Sequence, residues 1–269
     1  IPEYRLPKEV LDDEILTIQK MGAEIITDTK IGKDIPFETI REDFDAVLIG
    51  IGAWISTGVG CKGEDAEGVI GGIDLLRKVV RNEEIELGEK VAIVGGGNTA
   101  MDACRTAVRL GAKEVYNIYR RTKDEMPADM VEIEEAEEEG VIFKNLRNPL
   151  EVIKDENGHV KEVVLQVMEL GEPDASGRRR PIEKVGSEHD LPVDCVIMSL
   201  GTTPNPLIKN TTPGLEVNRK GGIVVNEAGL TSHQNVYAGG DAVTGAATVI
   251  LAMGAGKLGA KSIDEALSK

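Results

Sequence analysis

Aromatic residues are scarce in this 269-residue chain, 3% of the total, and the one Trp, four Tyr and three Phe are scattered along it. A base-stacking platform needs aromatics interleaved with basic residues, so single-stranded nucleic acid is excluded as a ligand. Positive charge is also in deficit. Lys and Arg number 31 against 47 Asp and Glu, a formal net charge of −16 at pH 7. That balance disfavours a sequence-blind grip on nucleic acid or on an anionic membrane surface. Cysteine is limited to Cys61, Cys104 and Cys195, with no C-x-x-C, a set too sparse for a disulfide scaffold and suited to a reducing cytoplasm. His159, His189 and His233 lack H-E-x-x-H or comparable spacing, which argues against metal-assisted hydrolysis. No apolar run approaches the roughly 18 to 20 residues of a membrane helix, and the N-terminus lacks the order of a signal peptide. The expectation is a soluble cytoplasmic protein, and the start at Ile1-Pro2-Glu3 without Met suggests a piece of a longer chain.

What is present is βα alternation. Residues 8 to 21 have helical spacing up to Gly22, and Glu24 to Thr27 reads as a short strand. Asp45 to Ile51 is a buried-strand pattern closed by Gly50 and Gly52. A helix is expected from Ile73 to Arg81, with a domain junction near 72 to 89. Val91 to Val94 then leads into Gly95-Gly96-Gly97-Asn98-Thr99-Ala100, a helix to Leu110, and a second strand, Val115 to Tyr119. A helix after Pro127 carries a run of glutamates read as a solvated face, followed by the strand Val141 to Leu146. Asn157-Gly158 marks a hairpin that interrupts the alternation. Gly171 to Glu188, with Arg178, Arg179 and Arg180, reads as an exposed loop. Strands Asp194 to Leu200, Gly221 to Val225 and Val236 to Gly240 and a helix from about Ala247 to Leu267 close the chain.

The glycine turn carries the chemistry. A lone G-x-G-x-x-G is a weak signal, but Gly95, Gly97 and Ala100 have a strand before them and a helix after them, as a dinucleotide fingerprint requires. Gly95 permits the tight turn, Gly97 lets the backbone approach a pyrophosphate, and Ala100 lets helix and strand pack closely. The helix start adds N–H groups and about half a positive charge. The end of the second strand decides between coenzymes. Glu114 precedes that strand and so sits at the wrong end to hold a ribose hydroxyl. Arg120 and Arg121 follow it, and their guanidinium groups suit a 2′-phosphate, which selects NADPH. Pairing of these arginines with surface carboxylates is the competing explanation. A second constellation, Asn235 to Ala242 followed by a helix opening near Ala247, places Gly240 and Asp241 at a strand end beside a helix start, suited to an anion or cofactor.

These residues, together with Ile1-Pro2-Glu3-Tyr4-Arg5-Leu6-Pro7, Asp45 to Ala53, Met126-Pro127-Ala128 and Gly201 with Pro204-Asn205, resemble a known family over essentially the whole chain. It is that of the NADPH-dependent, FAD-containing oxidoreductases related to the glutamate synthase small (beta) subunit. The resemblance implies an α/β fold of two nested Rossmann-like domains, with an NADPH domain carrying a β-meander (73–205) inserted into an FAD domain (1–72 and 206–269). It further implies that Asn98, Thr99, Arg120, Arg121 and Gly201 contact NADPH, alongside the turn residues Gly95, Gly96, Gly97 and Ala100. Arg5, Gly52, Ala53, Gly240, Asp241, Ala247, Thr248 and Val249 would touch FAD. Complete members begin with an iron–sulfur domain and a first FAD βαβ unit that these residues lack.

The implied reaction is hydride transfer between NADPH and FAD. Electrons then pass to iron–sulfur centres, a partner redox subunit or a ferredoxin-like acceptor, and no side chain acts as acid, base or nucleophile. Two alternatives stay open. One is an NADP(H)-binding module without turnover. The other is a thioredoxin reductase-like flavoprotein, which the missing cysteine pair disfavours.

Overall fold

The structure, a computed structural model, describes every residue except Asp174, Ser176 and Lys269. The helices are α1 (Lys8–Lys20), α2 (Phe37–Asp43), α3 (Gly72–Val80), α4 (Asn98–Arg109), α5 (Met130–Glu138), α6 (Leu207–Thr211), α7 (Asp241–Thr244) and α8 (Val249–Leu267). The strands are β1 (Val47–Ile49), β2 (Ile55–Ser56), β3 (Val69–Gly71), β4 (Lys90–Val94), β5 (Glu114–Tyr119), β6 (Ile142–Asn145), β7 (Arg147–Lys154) and β8 (Val160–Pro173). They continue with β9 (Arg179–Glu183), β10 (His189–Pro192), β11 (Cys195–Met198), β12 (Thr202–Thr203) and β13 (Val236–Ala238). The chain forms two compact units, Ile1–Val10 with Ser56–Gly201, and Leu11–Ile55 with Thr202–Lys269, so that the body of the first interrupts the sequence of the second.

The first unit is built on a parallel sheet of order β3-β11-β4-β5-β6. Its inner strands, β11, β4 and β5, are buried on both faces, which is why they read as nearly continuous apolar runs in the sequence. Alternate residues divide between two cores. Val91, Ile93, Val115, Cys195 and Ile197 pack toward the α3, α4 and α5 side with Leu75, Met101 and Ile133. Ala92, Val94, Ile118 and Val196 pack toward Val152, Val163 and Leu165 of the meander. The hairpin foreseen at Asn157-Gly158 is β7 against β8, antiparallel, with β10 and β9 added to β8.

Two segments expected with the second unit pack with the first. β3 is the edge strand of the parallel sheet, and Tyr4 lies on α4, with the Arg105 and Arg109 guanidinium carbons 4.5 and 4.1 Å from its ring centroid. The segment read as an exposed loop, 171 to 188, in fact supplies β9. Met168 pairs with Glu183 and Leu170 with Pro181, while Asp174 and Ser176 lie outside the described residues. The glutamates of α5 and of its C-cap, Glu139, are not simply a solvated face. Glu132, Glu135 and Glu139 all pair with Arg105 of α4, and Glu137 with Lys123.

The second unit centres on β1 and β13, parallel, with Ile49, Val236 and Ala238 packed on Phe37, Ile208, Leu215, Ile223 and Ala242. Three expectations change here. Glu24 to Thr27 pairs with no strand among the described residues, and Ile25 and Ile26 stay exposed. Gly221 to Val225 forms only a bridge, Val217 with Ile223, because the Asn218 side chain accepts from Lys220 and Gly222 N–H and folds a local turn instead. The last helix begins at Val249, since Thr248 caps it by accepting from Leu251 N–H at 3.4 Å.

Candidate dinucleotide-binding site

At the C-terminal end of β4 the chain turns sharply through Gly95, Gly96 and Gly97 into α4. Gly95 has φ +149°, and a Cβ there would lie 2.3 Å from the Ser199 carbonyl oxygen and 3.2 Å from the Ala100 methyl. The position therefore requires glycine for both backbone conformation and close approach. Ala100, fully buried, is the small residue that lets α4 reach the sheet. Gly97 differs. Its φ is −97°, and the nearest atom to an added Cβ would be Pro127 Cγ at 3.9 Å, so its freedom serves the open side of the turn.

The carbonyls of the turn are held from behind. Asn117, fully buried on β5, donates through Nδ2 to the Gly95 carbonyl at 2.9 Å, and Ala128 N–H donates to the Gly96 carbonyl at 3.0 Å. A peptide group is planar and trans, so fixing each C=O fixes the N–H on its other side, here those of Gly96 and Gly97. The Tyr119 ring braces Gly96, 2.6 Å from where a Cβ would stand, and its hydroxyl is held by the Glu125 carbonyl at 2.8 Å. α4 has no acidic residue in its first turn and no side-chain cap, which leaves its N-terminal N–H groups and partial positive charge available to an anion.

Asn98, the first residue of α4, is bonded across to Asp129. Its amide exchanges two hydrogen bonds with Asp129, Nδ2 to Oδ2 at 3.0 Å and Asp129 N–H to Oδ1 at 2.9 Å, tying α4 to the start of α5. Thr99 is half-buried in the first turn. The two arginines after β5 separate in role. The Arg120 side chain is exposed and makes no hydrogen bond or ion pair with the described residues. Arg121 is 5% exposed and donates through Nε to the Arg179 carbonyl at 2.7 Å. Glu114 begins β5, at the far end from the turn, and is bonded to Tyr116 and Lys90, as its place in the sequence implies. Gly201 has φ +116°, and its carbonyl accepts from Thr57 N–H at 3.1 Å.

Arg5 belongs to this unit as well. It pairs with Asp102 at 3.0 Å and with Glu132, so its guanidinium is engaged by carboxylates of α4 and α5. Burial pushes the Asp102 carboxyl up, and the facing Arg5 pulls it back.

In the second unit a cavity of about 150 Å³ is lined by Leu48, Gly50, Gly52, Gly239, Gly240, Asp241, Ala252 and Gly256. Three of the expected residues, Gly52, Gly240 and Asp241, thus come together. Ala53 is buried outside the lining, and Ala247, Thr248 and Val249 are exposed at the start of α8, about one turn before the helix residues that line it. Ala252 and Gly256 were missed by sequence reasoning. Their small size, four apart in a helix also bearing Ala255 and Gly259, is the signal that could have found them.

The three thiols are poor candidates for redox chemistry. Burial pushes Cys104 and Cys195 up to about 12 and Cys61 up to about 11, the last with help from the Glu64 carboxylate. A thiol must ionise to attack a disulfide. No cluster of three or more metal-ligating side chains is found among the described residues, and no described helix is long and apolar enough to cross a membrane.

The sequence profile described as "Pyridine nucleotide-disulphide oxidoreductase" matches residues 8–256. The chain belongs to that family. Within it, the chain is 43% identical over 272 residues to the NADP(+)-dependent formate dehydrogenase subunit beta of Moorella thermoacetica, covering 99% of this chain and 38% of that protein. It is 37% identical over 278 residues to the glutamate synthase [NADPH] small chain of Escherichia coli, covering 98% of this chain and 59% of that one. The chain therefore spans about two fifths to three fifths of these relatives. Among solved structures, Mycobacterium tuberculosis FprA in complex with NADPH superposes with a TM-score of 0.71 at 20% identity, covering 89% of this chain and 67% of that one. That likeness establishes the Rossmann-like α/β fold. The family is named for disulphide chemistry, but this member's cysteines are separate and, at Cys104 and Cys195, buried.

Proposed function

We propose that the first unit binds NADPH and that the glycine-lined cavity of the second unit receives part of an FAD. The chain would then serve the passage of a hydride from one to the other. The observation that carries the reading is the turn after β4, whose Gly95 and Gly96 carbonyls are pinned from behind while an uncapped helix start faces forward. A pyrophosphate fits that cradle, because a Cβ at Gly97 would project into open space and glycine leaves the space free. Arg120, exposed at the end of β5, offers the 2′-phosphate a charge-assisted partner, and Arg121 ties the loop after β5 to the Arg179 carbonyl of β9.

The second cavity fits a flavin nucleotide in part. Gly50, Gly52, Gly239 and Gly240 admit a ligand close to the backbone, and the Asp241 carboxylate accepts hydrogen bonds from the hydroxyls of a ribityl chain. The chemistry the two groups supply when bound is hydride transfer between nicotinamide C4 and flavin N5. The chain's own contribution is orientation and electrostatics, with no side-chain acid, base or nucleophile. Two relatives, the formate dehydrogenase subunit above and the NADPH-Fe(3+) oxidoreductase subunit beta of Geobacter sulfurreducens, are named as subunits. This supports a partner subunit as the electron acceptor.

The test is a visible spectrum of the purified chain after incubation with FAD and desalting, followed by NADPH oxidation with an artificial acceptor. A retained flavin band near roughly 450 nm with NADPH-dependent turnover supports the reading. NADPH binding without flavin retention refutes the second cavity's assignment. Failure to bind either nucleotide refutes both.

A further inference from the structure

A further arginine reaches the end of β5 where Arg120 and Arg121 stand, from 58 residues beyond Arg121. β9 runs antiparallel on β8 and brings Arg179 to the loop that follows β5. Three contacts fix it there. The Arg179 carbonyl accepts from Arg121 Nε at 2.7 Å, its own Nε donates to the Glu125 carboxylate, and its Nη2 lies 3.5 Å from Thr122 Oγ1. Glu125 is itself held. It accepts from Thr122 N–H at 3.1 Å and from the Thr122 hydroxyl, and its side chain is 8% exposed against 46% for Arg179.

A guanidinium presents five N–H donors in a rigid planar fork. Glu125 and Thr122 engage one edge, which sets the plane of the group, while the side chain as a whole stays 46% exposed. It lies beside a loop whose first residue, two before Thr122, is the exposed Arg120. In a chain of net charge −16 the long-range field repels a phosphate dianion, so recognition of one depends on cations gathered locally.

We propose that Arg179 is a third arginine of the coenzyme site, a direct ligand of the 2′-phosphate of NADPH that determines preference over NADH, delivered by the β-meander and held in orientation by Glu125. The proposal rests on the NADPH reading above.

The test is calorimetric titration of the whole chain with 2′,5′-ADP, which carries the 2′-phosphate, and with 5′-AMP, which lacks it. Wild type, Arg179→Gln, Arg179→Lys and Arg120→Ala are compared. Arg179→Gln is expected to weaken 2′,5′-ADP binding at least tenfold, about 1.4 kcal/mol, and to change 5′-AMP binding less than twofold. Arg179→Lys, which keeps the charge but loses the fork, is expected to lose threefold or more for 2′,5′-ADP alone. It serves as the deciding variant if the glutamine form does not fold. Equal losses for the two ligands, or none, while Arg120→Ala loses 2′,5′-ADP selectively, overturn the role of Arg179 and leave the NADPH reading standing. Equal affinity of the wild type for the two ligands overturns the NADPH reading and the proposal together.

Discussion

Replacing Gly95 and Gly97 one at a time by alanine separates the two jobs of the turn. At Gly95 the methyl would meet the Ser199 carbonyl oxygen at 2.3 Å and its carbon at 2.9 Å, and the φ of +149° is one that alanine adopts only under strain. The conformational part costs about 1–2 kcal/mol and forced overpacking about 1–3 kcal/mol. Together, about 2–5 kcal/mol is taken from a stability that for most domains totals about 5–15 kcal/mol. At Gly97 the φ is −97° and the nearest atom is 3.9 Å away, so Gly97→Ala should leave stability within about 1 kcal/mol, the loss expected for alanine at a helix N-cap. Its methyl instead occupies the face where a pyrophosphate must approach. Loss of one or two charge-assisted N–H bonds, about 1.5–3 kcal/mol each, weakens nucleotide binding about tenfold to a hundredfold or more. Urea denaturation and NADP+ titration on both variants measure this. Gly97→Ala binding NADP+ like wild type, or Gly95→Ala melting like wild type, would refute the reasoning.

Arg105 is 7% exposed and faces Glu132, Glu135 and Glu139, so Arg105→Ala leaves three carboxylates crowded around an empty place. The cost at pH 7 is about 3 kcal/mol, the low end for a broken buried pair because Glu135 is 44% exposed. Burial pushes the Glu139 carboxyl up, but Arg109 and Arg105 hold it below its ordinary 4.5. Its stabilising contribution is therefore present above that pH and lost below it, and the gap between variant and wild type should narrow as pH falls toward 4. A gap independent of pH in denaturant melts would contradict the charge argument. On the alkaline side, Cys104 and Cys195 keep their protons up to about 12 in the native state, while unfolded thiols ionise from about 9. The unfolded chain then binds fewer protons, so stability should decline as pH rises between those values, by about 1.4 kcal/mol per pH unit for each thiol. Both should resist a thiol reagent at pH 8 in the native protein, and rapid native-state labelling of either would show the burial argument to be mistaken.

The strands of the first unit were legible because a strand buried on both faces leaves an unbroken apolar run, as in Val91 to Val94. The glycine turn was legible because its neighbours fixed its context. Asn117 was visible as a polar residue inside such a run but has no meaning until the Gly95 carbonyl is found 2.9 Å from it. β9 was not legible. An edge strand held through its backbone to β8 keeps exposed side chains, so Arg178, Arg179 and Arg180 have the composition of a loop. The pairing of the α5 glutamates was hidden for a related reason. Spacing places Glu132, Glu135 and Glu139 on one face, but only the packing of α4 against α5 shows that this face meets Arg105. The small-residue lining of the second cavity depends in the same way on helix packing. Gly239 and Gly240 lie against Ala255 and Ala252, a contact that no local pattern dictates.

The backing of the glycine turn by Asn117 and Ala128 has a consequence for how fast and how cleanly a ligand docks. Because both carbonyls are restrained before anything binds, the forward N–H groups need no reordering on arrival, and the entropy of fixing them was already spent when the domain folded. Capture then follows lock-and-key kinetics at this end of the ligand, and whatever closure accompanies binding originates elsewhere, in segments with fewer internal restraints.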